Sequence, residues 1–135
     1  MITYKTTKDI ATDDLLALYT SVGWSSYTNE PDTLTQAVKQ SYYVLSAWED
    51  ERLVGLIRCI SDGLTIIYIQ DLLVLPAYQN QGIGSQLLTK TFETFKNLRQ
   101  KVLITSEAPD VRHFYEKHGL NSCDQGQAVA FYREY

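Results

Sequence analysis

The amino-acid sequence predicts an α/β protein, a mixed sheet of six to seven strands flanked by four helices, within a single domain over residues 1–135. Three observations lead there. Apolar residues recur at helical spacing in four stretches. Short apolar runs bounded by turn residues lie around them. Strands lead the chain and helices fall between the central strands, which indicates a mixed sheet and not a series of hairpins. With 135 residues, 44% hydrophobic and 21% charged, the chain can bury about two thirds of its unfolded surface without staples or metals.

Residues 2–6 read as a short first strand. Thr12-Asp13-Asp14 opens a helix, with acidic groups at the positive end of its dipole. Leu15, Leu16, Leu18, Tyr19 and Val22 form its apolar face, and Gly23 stops it. The stretch from Gly23 to Tyr27 is a loop that carries two aromatics, Trp24 and Tyr27. A second helix starts near Pro31 with Leu34, Ala37 and Val38 on its apolar side. Two strands between 42 and 60 are joined by Glu49-Asp50-Glu51. An apolar strand runs from Thr65 to Leu75, and Pro76 ends it. A long helix follows from Gly82, then a short buried strand over 102–106. Pro109 opens a helix over 110–118, and Gly119 closes it. Two end strands, around 120–124 and 128–134, complete the expected sheet.

A net charge of −4 without a basic stripe argues against nucleic acid as a partner. No apolar run nears the roughly 18 residues of a membrane span. The first residues lack a signal peptide's apolar core, so a cytoplasmic address is expected. Cys59 and Cys123 show no metal-ligand spacing and read as reduced thiols.

The chemistry-bearing stretch runs from Leu72 to Leu88, LLVLPAYQNQGIGSQLL. A buried strand ends, a polar loop turns, and two glycines open a helix. Unpaired N–H groups at a helix start, with the helix dipole, make an anion site suited to a pyrophosphate. Gly82 and Gly84 let the backbone approach the phosphates without a Cβ in the way. No Gly-Lys-Ser/Thr follows, so this is not a Walker A loop. Leu87 stands where a dinucleotide fingerprint has its third glycine. Taken alone, such a glycine pair can also be purely structural.

Gln79-x-x-Gly82-x-Gly84, after a strand ending in Val74-x-Pro76, resembles the pyrophosphate-binding signature of the GNAT N-acetyltransferases. Phe114-Tyr115-Glu116-Lys117-His118-Gly119-Leu120 resembles the Phe-Tyr-x-Lys-x-Gly-Phe segment of the same superfamily. The order of elements matches over nearly the whole chain. Gly23-Trp24 and Asp71-Leu72-Leu73-Val74 resemble, more distantly, small bacterial members and plant arylalkylamine (serotonin-type) acetyltransferases. Many members carry an asparagine seven residues before the tyrosine. Here that place is Ala108, so only the backbone cradle is expected to serve the cofactor there.

The resemblance implies a GNAT-like, mostly antiparallel sheet, acetyl-CoA as co-substrate and no metal. It implies that the backbone of Gln81, Gly82, Ile83, Gly84, Ser85 and Gln86 holds the CoA pyrophosphate, with Gln79 and Asn80 helping. Strand 66–75 is expected to splay from its neighbour and pair with the pantetheine arm through Leu73, Val74 and Leu75. The N–H of Leu73 is the expected donor to the thioester carbonyl. Tyr115 matches the tyrosine that contacts the cofactor and protonates the departing thiolate, and an ordinary phenol pKa near 10 keeps it neutral at pH 7.

Asp71 is read from the strand pattern itself. Strict alternation puts it on one face with Ile67, Ile69 and Leu73, an odd place for a carboxylate without a partner or a job. The job is to pair with a cationic substrate or take its proton; the alternative is a local bulge that turns Asp71 to solvent or to a structural bond. Gln70 takes the role if the register slips by one. If the role is catalytic, Asp71→Asn is expected to keep its melting temperature. Trp24, Tyr27 and Trp48 line an acceptor pocket or belong to the core. His113 and His118 are read as surface or helix-end residues.

Direct attack of a primary amine on acetyl-CoA in a ternary complex is the implied reaction, the acceptor being a small-molecule amine or a peptide amine. A catalytically inactive CoA-binding regulatory or interaction module is the alternative, and use of a longer acyl chain a third. Homodimers are common among such relatives.

Overall fold

Three helix starts in this chain are set by proline or acidic residues. Pro31 and Pro109 each occupy a first helical turn, and Asp13 and Asp14 the first turn of another. In the computed structural model, which describes residues 1–134, the order is β1 (Ile2–Lys5), α1 (Thr12–Ser21), α2 (Ser25–Thr28), α3 (Pro31–Gln40), β2 (Tyr43–Glu49), β3 (Arg52–Ser61), β4 (Ile66–Val74), α4 (Ile83–Thr94), β5 (Gln100–Leu103) and α5 (Pro109–Lys117). Short 3₁₀ turns occupy Pro76–Tyr78 and Cys123–Gln125.

The five strands lie in sequence order in one sheet. The pairs β1–β2, β2–β3 and β3–β4 are antiparallel, and β4–β5 is parallel. Burial alternates along β4. By contrast β3 is buried almost throughout, as a strand with both faces covered must be. Two irregularities break the ladder, one near Ala47/Trp48 and one between Arg58 and Cys59 of β3. At the second, Cys59 pairs with Ile69 but Arg58 pairs with Asp71, so Gln70 is an extra residue bulged out of β4.

Helices cover both faces of this sheet. A Cβ built on Gly55 would lie 3.2 Å from Ile83 and 3.3 Å from Leu87, so the glycine face of β3 is where α4 seats closely. Tyr19 of α1 bonds Asp71 opposite Arg58, three residues along β3 and therefore on the other face. Against α1 pack α2 and α3, and the Thr12 and Thr35 hydroxyls meet at 2.8 Å. The core comprises Leu15, Leu18, Val38, Leu56, Ile57, Leu87 and Leu88, among others.

The described residues form two compact units, Met1–Ile104 and the chain from Thr105 onward. In the second, Arg112 of α5 pairs with Glu107 and Asp124 and donates to the Ser122 hydroxyl at 2.9 Å, tying the start of the helix to the 3₁₀ turn. Gly119, at φ +88°, terminates α5 in the left-handed conformation its sequence predicts.

Three expectations need correction. Among the described residues the structure has five helices, because α2 forms across the end of the expected Gly23–Tyr27 loop. Among the described residues it has five strands; 120–124 and 128–134 form none, and a 3₁₀ turn occupies part of the former. Alternation marks what a strand could bury, whereas a ladder needs a partner edge, which local sequence does not specify. Lastly, the bulge at Gln70 puts Asp71 and Leu73 on the face opposite Ile67 and Ile69. Cys59 and Cys123 are both free thiols, the first buried and the second exposed.

Gly55→Val tests how closely α4 seats on the sheet. Overpacking is expected to cost about 1–3 kcal/mol, a fall of several degrees in Tm. A melting temperature equal to wild type in calorimetry would place α4 farther from β3 than described.

Candidate functional site

The loop between β4 and α4 is shaped by its own side chains. Gln79 Nε2 donates to the Val74 carbonyl at 3.0 Å, and Gln81 Nε2 to the Ala77 carbonyl at 3.3 Å. Tyr78 donates to Glu49 at 2.6 Å and its ring lies 5.6 Å from the Arg52 guanidinium, which pins the turn to the β2–β3 hairpin. Asn80 (φ +63°) and Gly82 (φ +86°) take left-handed conformations just before α4. No side chain caps α4, so the N–H groups of its first turn, from Ile83, Gly84 and Ser85, are open. A Cβ on Gly82 would meet nothing within 4 Å, so there is room beside them for a ligand. This is an anion cradle of backbone donors.

Beside it, β4 has an unpaired edge. Its ladder with β5 ends at Ile69–Leu103, and among the described residues no strand pairs with 70–74 on that side. Which amides face this edge follows from hydrogen-bond parity. The N–H of Leu75 donates to Val54 of β3 at 2.9 Å, so Leu75 and Leu73 turn their polar groups toward β3. The Leu73 carbonyl lies 3.4 Å from the Cβ position of Gly55, and the Val74 carbonyl is taken by Gln79, as that parity requires. Leu72 and Val74 therefore present their N–H groups to the open edge.

Asp71 lies on the α1 side of β4, only 3% exposed, in a closed set of polar contacts. Its Oδ2 accepts from Arg58 Nε at 2.8 Å and from the Tyr19 hydroxyl at 2.9 Å. Its Oδ1 accepts from the Tyr27 hydroxyl at 2.9 Å. Arg58 reaches the Ser41 hydroxyl at 3.3 Å through Nη1 and the Tyr27 oxygen at 3.0 Å through Nη2. Gln70 Nε2 also donates to the Tyr27 oxygen, at 3.2 Å. Burial opposes the Arg58 charge, but the adjacent Asp71 carboxylate outweighs it and raises the guanidinium pKa above its already high value. Burial, then the Asp71 charge, raises both phenols, so Tyr19 and Tyr27 stay protonated donors.

The aromatic residues divide. Tyr19, Trp24 and Tyr27 form an edge-packed cluster, with Trp24 and Tyr27 half-buried. Trp48 is core instead: it is buried on β2 and its indole donates to Ser46 at 2.8 Å. In the second unit, burial pushes the half-buried Tyr115 phenol up to about 12. His118 Nδ1 bonds the Phe114 carbonyl at 2.7 Å, a helix-end role, and His113 is exposed. Among the described residues no His, Cys, Asp or Glu cluster could hold a metal ion, and no helix is long and apolar enough to cross a membrane.

Residues 11–133 match the family model of the acetyltransferase (GNAT) domain. The chain belongs to the GNAT acetyltransferase family. A solved GNAT-family acetyltransferase from Streptococcus pneumoniae is 35% identical and superimposes with a TM-score of 0.88, covering 100% of this chain and 98% of that one. The histone acetyltransferase TAP1 of Glycine max is 31% identical over 129 residues, 87% of this chain and 55% of its own length. An uncharacterised ycf52-like N-acetyltransferase of Prochlorococcus marinus is 27% identical over 123 residues, 88% of this chain and 67% of its own. The chain thus spans between about half and two thirds of these two curated relatives.

Acetyl-CoA is the co-substrate of a GNAT acetyltransferase, and the residues present fit it: open helix amides for a pyrophosphate lead directly from an open strand edge for an extended arm. Asn80, Gln81 and Gly82 close the loop, and Ile83, Gly84 and Ser85 are the first residues of α4. Gln86 does not join the cradle, since its N–H already bonds the Gly82 carbonyl at 3.0 Å. The Gln79 side chain shapes the loop and is not free for a phosphate. Leu73 and Leu75 face β3, and Leu72, missed from sequence, takes the edge position beside Val74. Alternation predicts that every second residue shares an edge but not which set, and no sequence signal marks the choice.

Asp71 carries a structural load its sequence position does not reveal, because its partner Arg58 lies on another strand. Asp71→Asn leaves a buried guanidinium without its counter-ion, a loss of about 3–5 kcal/mol in comparable cases. The expected outcome is a Tm lower by roughly ten degrees or more, in place of the unchanged value predicted from sequence. Urea titration beside Arg58→Met/Asp71→Leu checks it: the double variant, with no charge left buried, should recover much of the loss.

Proposed function

We propose that this chain is an N-acetyltransferase, one GNAT domain that moves acetyl from acetyl-CoA to a primary amine by direct attack in a ternary complex. One observation carries the reading: β4 loses its partner at Gln70 and runs, with its Leu72 and Val74 amides on the open edge, into the uncapped start of α4. Those edge amides can bond an extended pantetheine arm as a strand would. The N–H of Leu72 stands where negative charge developing on the thioester oxygen can be met by a fixed donor, a contribution of about 2.7–4 kcal/mol in comparable sites. The amine forms its C–N bond as the C–S bond breaks, the nitrogen sheds one proton to water, and the sulfur leaves as thiolate.

Tyr115 is proposed to supply the thiolate with a proton. Its raised pKa keeps the phenol neutral, but places it roughly three and a half units above a thiol near 8.5. Complete transfer is therefore uphill, and the hydroxyl acts mainly as a hydrogen-bond donor to the leaving sulfur. Asp71 acts on the amine only through the groups it orients, because its carboxylate is enclosed. Neutralised by Arg58, it offers no unpaired charge to attract a cationic acceptor.

Acetyl-CoA with a panel of small-molecule and peptide amines, read by thiol release, tests the reading. CoA at 100 times its Kd should stabilise the fold by about 2.7 kcal/mol. Binding without thiol release on any amine would mean a CoA-binding module that does not turn over. Tyr115→Phe should lower kcat about ten- to a hundredfold, below or near the usual range for a general acid, with CoA affinity unchanged. The sign of its pH dependence follows from the raised folded pKa. Tyr115 contributes stability fully below pH 10 and loses it as pH rises through about 12. Absorbance titration should show several fewer phenolates formed near pH 10 than the unfolded chain shows, Tyr115, Tyr19 and Tyr27 among those missing; normal ionisation of Tyr115, identified by difference against Tyr115→Phe, would contradict its burial.

A further inference from the structure

Tyr27 is a fully committed phenol. It has one proton, and the Asp71 carboxylate, itself held by Arg58, can only accept it. The Tyr27 oxygen must then be an acceptor toward its other neighbours, Arg58 Nη2 at 3.0 Å and the Gln70 amide at 3.2 Å. That fixes the orientation of Gln70: its NH₂ faces Tyr27, and its Oε1 is turned away. Among the described residues nothing donates to this carbonyl oxygen, although Gln70 is exposed. The bulge is what brings Asp71 to the Gln70 side of β4, so that both residues reach the Tyr27 oxygen. Gln70 is also the first residue after the last β4–β5 pair, and sits two residues, roughly 7 Å along the strand, from Leu72.

The geometry points to Gln70 as the residue that holds the acceptor amine, with Tyr27 as the positioning residue that aims it. This rests on the proposed acetyl transfer and adds the acceptor contact to it. Gln70 Oε1 accepts a hydrogen bond from an N–H of the uncharged amine, which leaves the nitrogen lone pair free for the thioester carbon. An amide oxygen is too weak a base to take the amine's proton, so Gln70 holds and does not deprotonate. The site therefore selects for an N–H donor without selecting for positive charge. The amine's own ionisation governs the pH dependence, and kcat/KM rises with pH toward the pKa of whichever amine is used.

Steady-state kinetics on Gln70→Ala, Tyr27→Phe and the double variant, with the best amine from the panel, tests this. Gln70→Ala should raise the amine KM about tenfold, the scale of one lost hydrogen bond, with little change in kcat, CoA affinity or Tm. Tyr27→Phe should raise the amine KM in the wild-type background but not further in Gln70→Ala, while lowering Tm in both. A purely structural Tyr27 would move Tm and leave the amine KM alone. Unchanged amine KM in Gln70→Ala, in an enzyme that turns over, overturns this inference and leaves acetyl transfer standing. A Tyr27→Phe effect on KM of equal size in both backgrounds overturns the route through Gln70. A wild-type chain that binds CoA and acetylates no amine overturns both readings.

Discussion

Two charges inside an apolar sheet face are tolerated only together, since each alone costs several kcal/mol to desolvate. Arg58 and Asp71 meet at 2.8 Å because β4 carries one residue too many opposite Arg58. Without the bulge, Arg58 would lie opposite Gln70, and Asp71 would lie opposite Ile57 on the side of α4. In a chain that keeps Gln70, the bulge and the ion pair thus require one another. Much else hangs from the pair: Tyr19 of α1, Tyr27 of α2 and Ser41 at the end of α3 each place a polar atom on it. α2 has no buried residue of its own, so this tether and the aromatic cluster are what hold it.

The opposite face of the sheet follows a different rule, that of close approach. Gly55 admits Ile83 and Leu87, and so sets where α4 begins relative to the end of β4. The polar loop between them then needs left-handed residues to complete its turn, supplied by Asn80 and Gly82. One face is thus organised by charge and the other by the absence of a side chain. The proposed reacting region lies along the strand that both faces share.

Local periodicity made α1, α3, α4 and α5 legible in the sequence almost to the residue, because each has either an apolar stripe or a proline start. The two central hairpin strands and β4 were legible for the same reason. α2 was not, since four residues define no period and bury nothing. The open amides of Ile83, Gly84 and Ser85 were readable because a helix start exposes its amides whatever its surroundings. What escaped was every feature set by pairing across the sheet. The choice of Leu72 over Leu73, the face of Asp71 and its partner Arg58 all depend on a register that one bulged residue shifts. The possibility of a bulge was visible; its position and its consequence for Gln70 were not.

An extra residue in a strand is a different kind of constraint from a conserved side chain. Position 70 can accept many replacements and keep the ladder intact, because the bulge depends on the count of residues more than on their identity. Loss of that one residue would also leave the pairing in place: Ile69 would still meet Cys59 and Asp71 would still meet Arg58, now as consecutive rungs of a regular ladder. What deletion removes is the side chain beside Tyr27, not the ion pair. Mutational drift at this point is therefore free to replace or to drop the bulged residue as far as the sheet is concerned. In descendants of this chain, the stretch between the hairpin turn at Asp62–Thr65 and Asp71 can shorten by one residue while Arg58 and Asp71 stay paired.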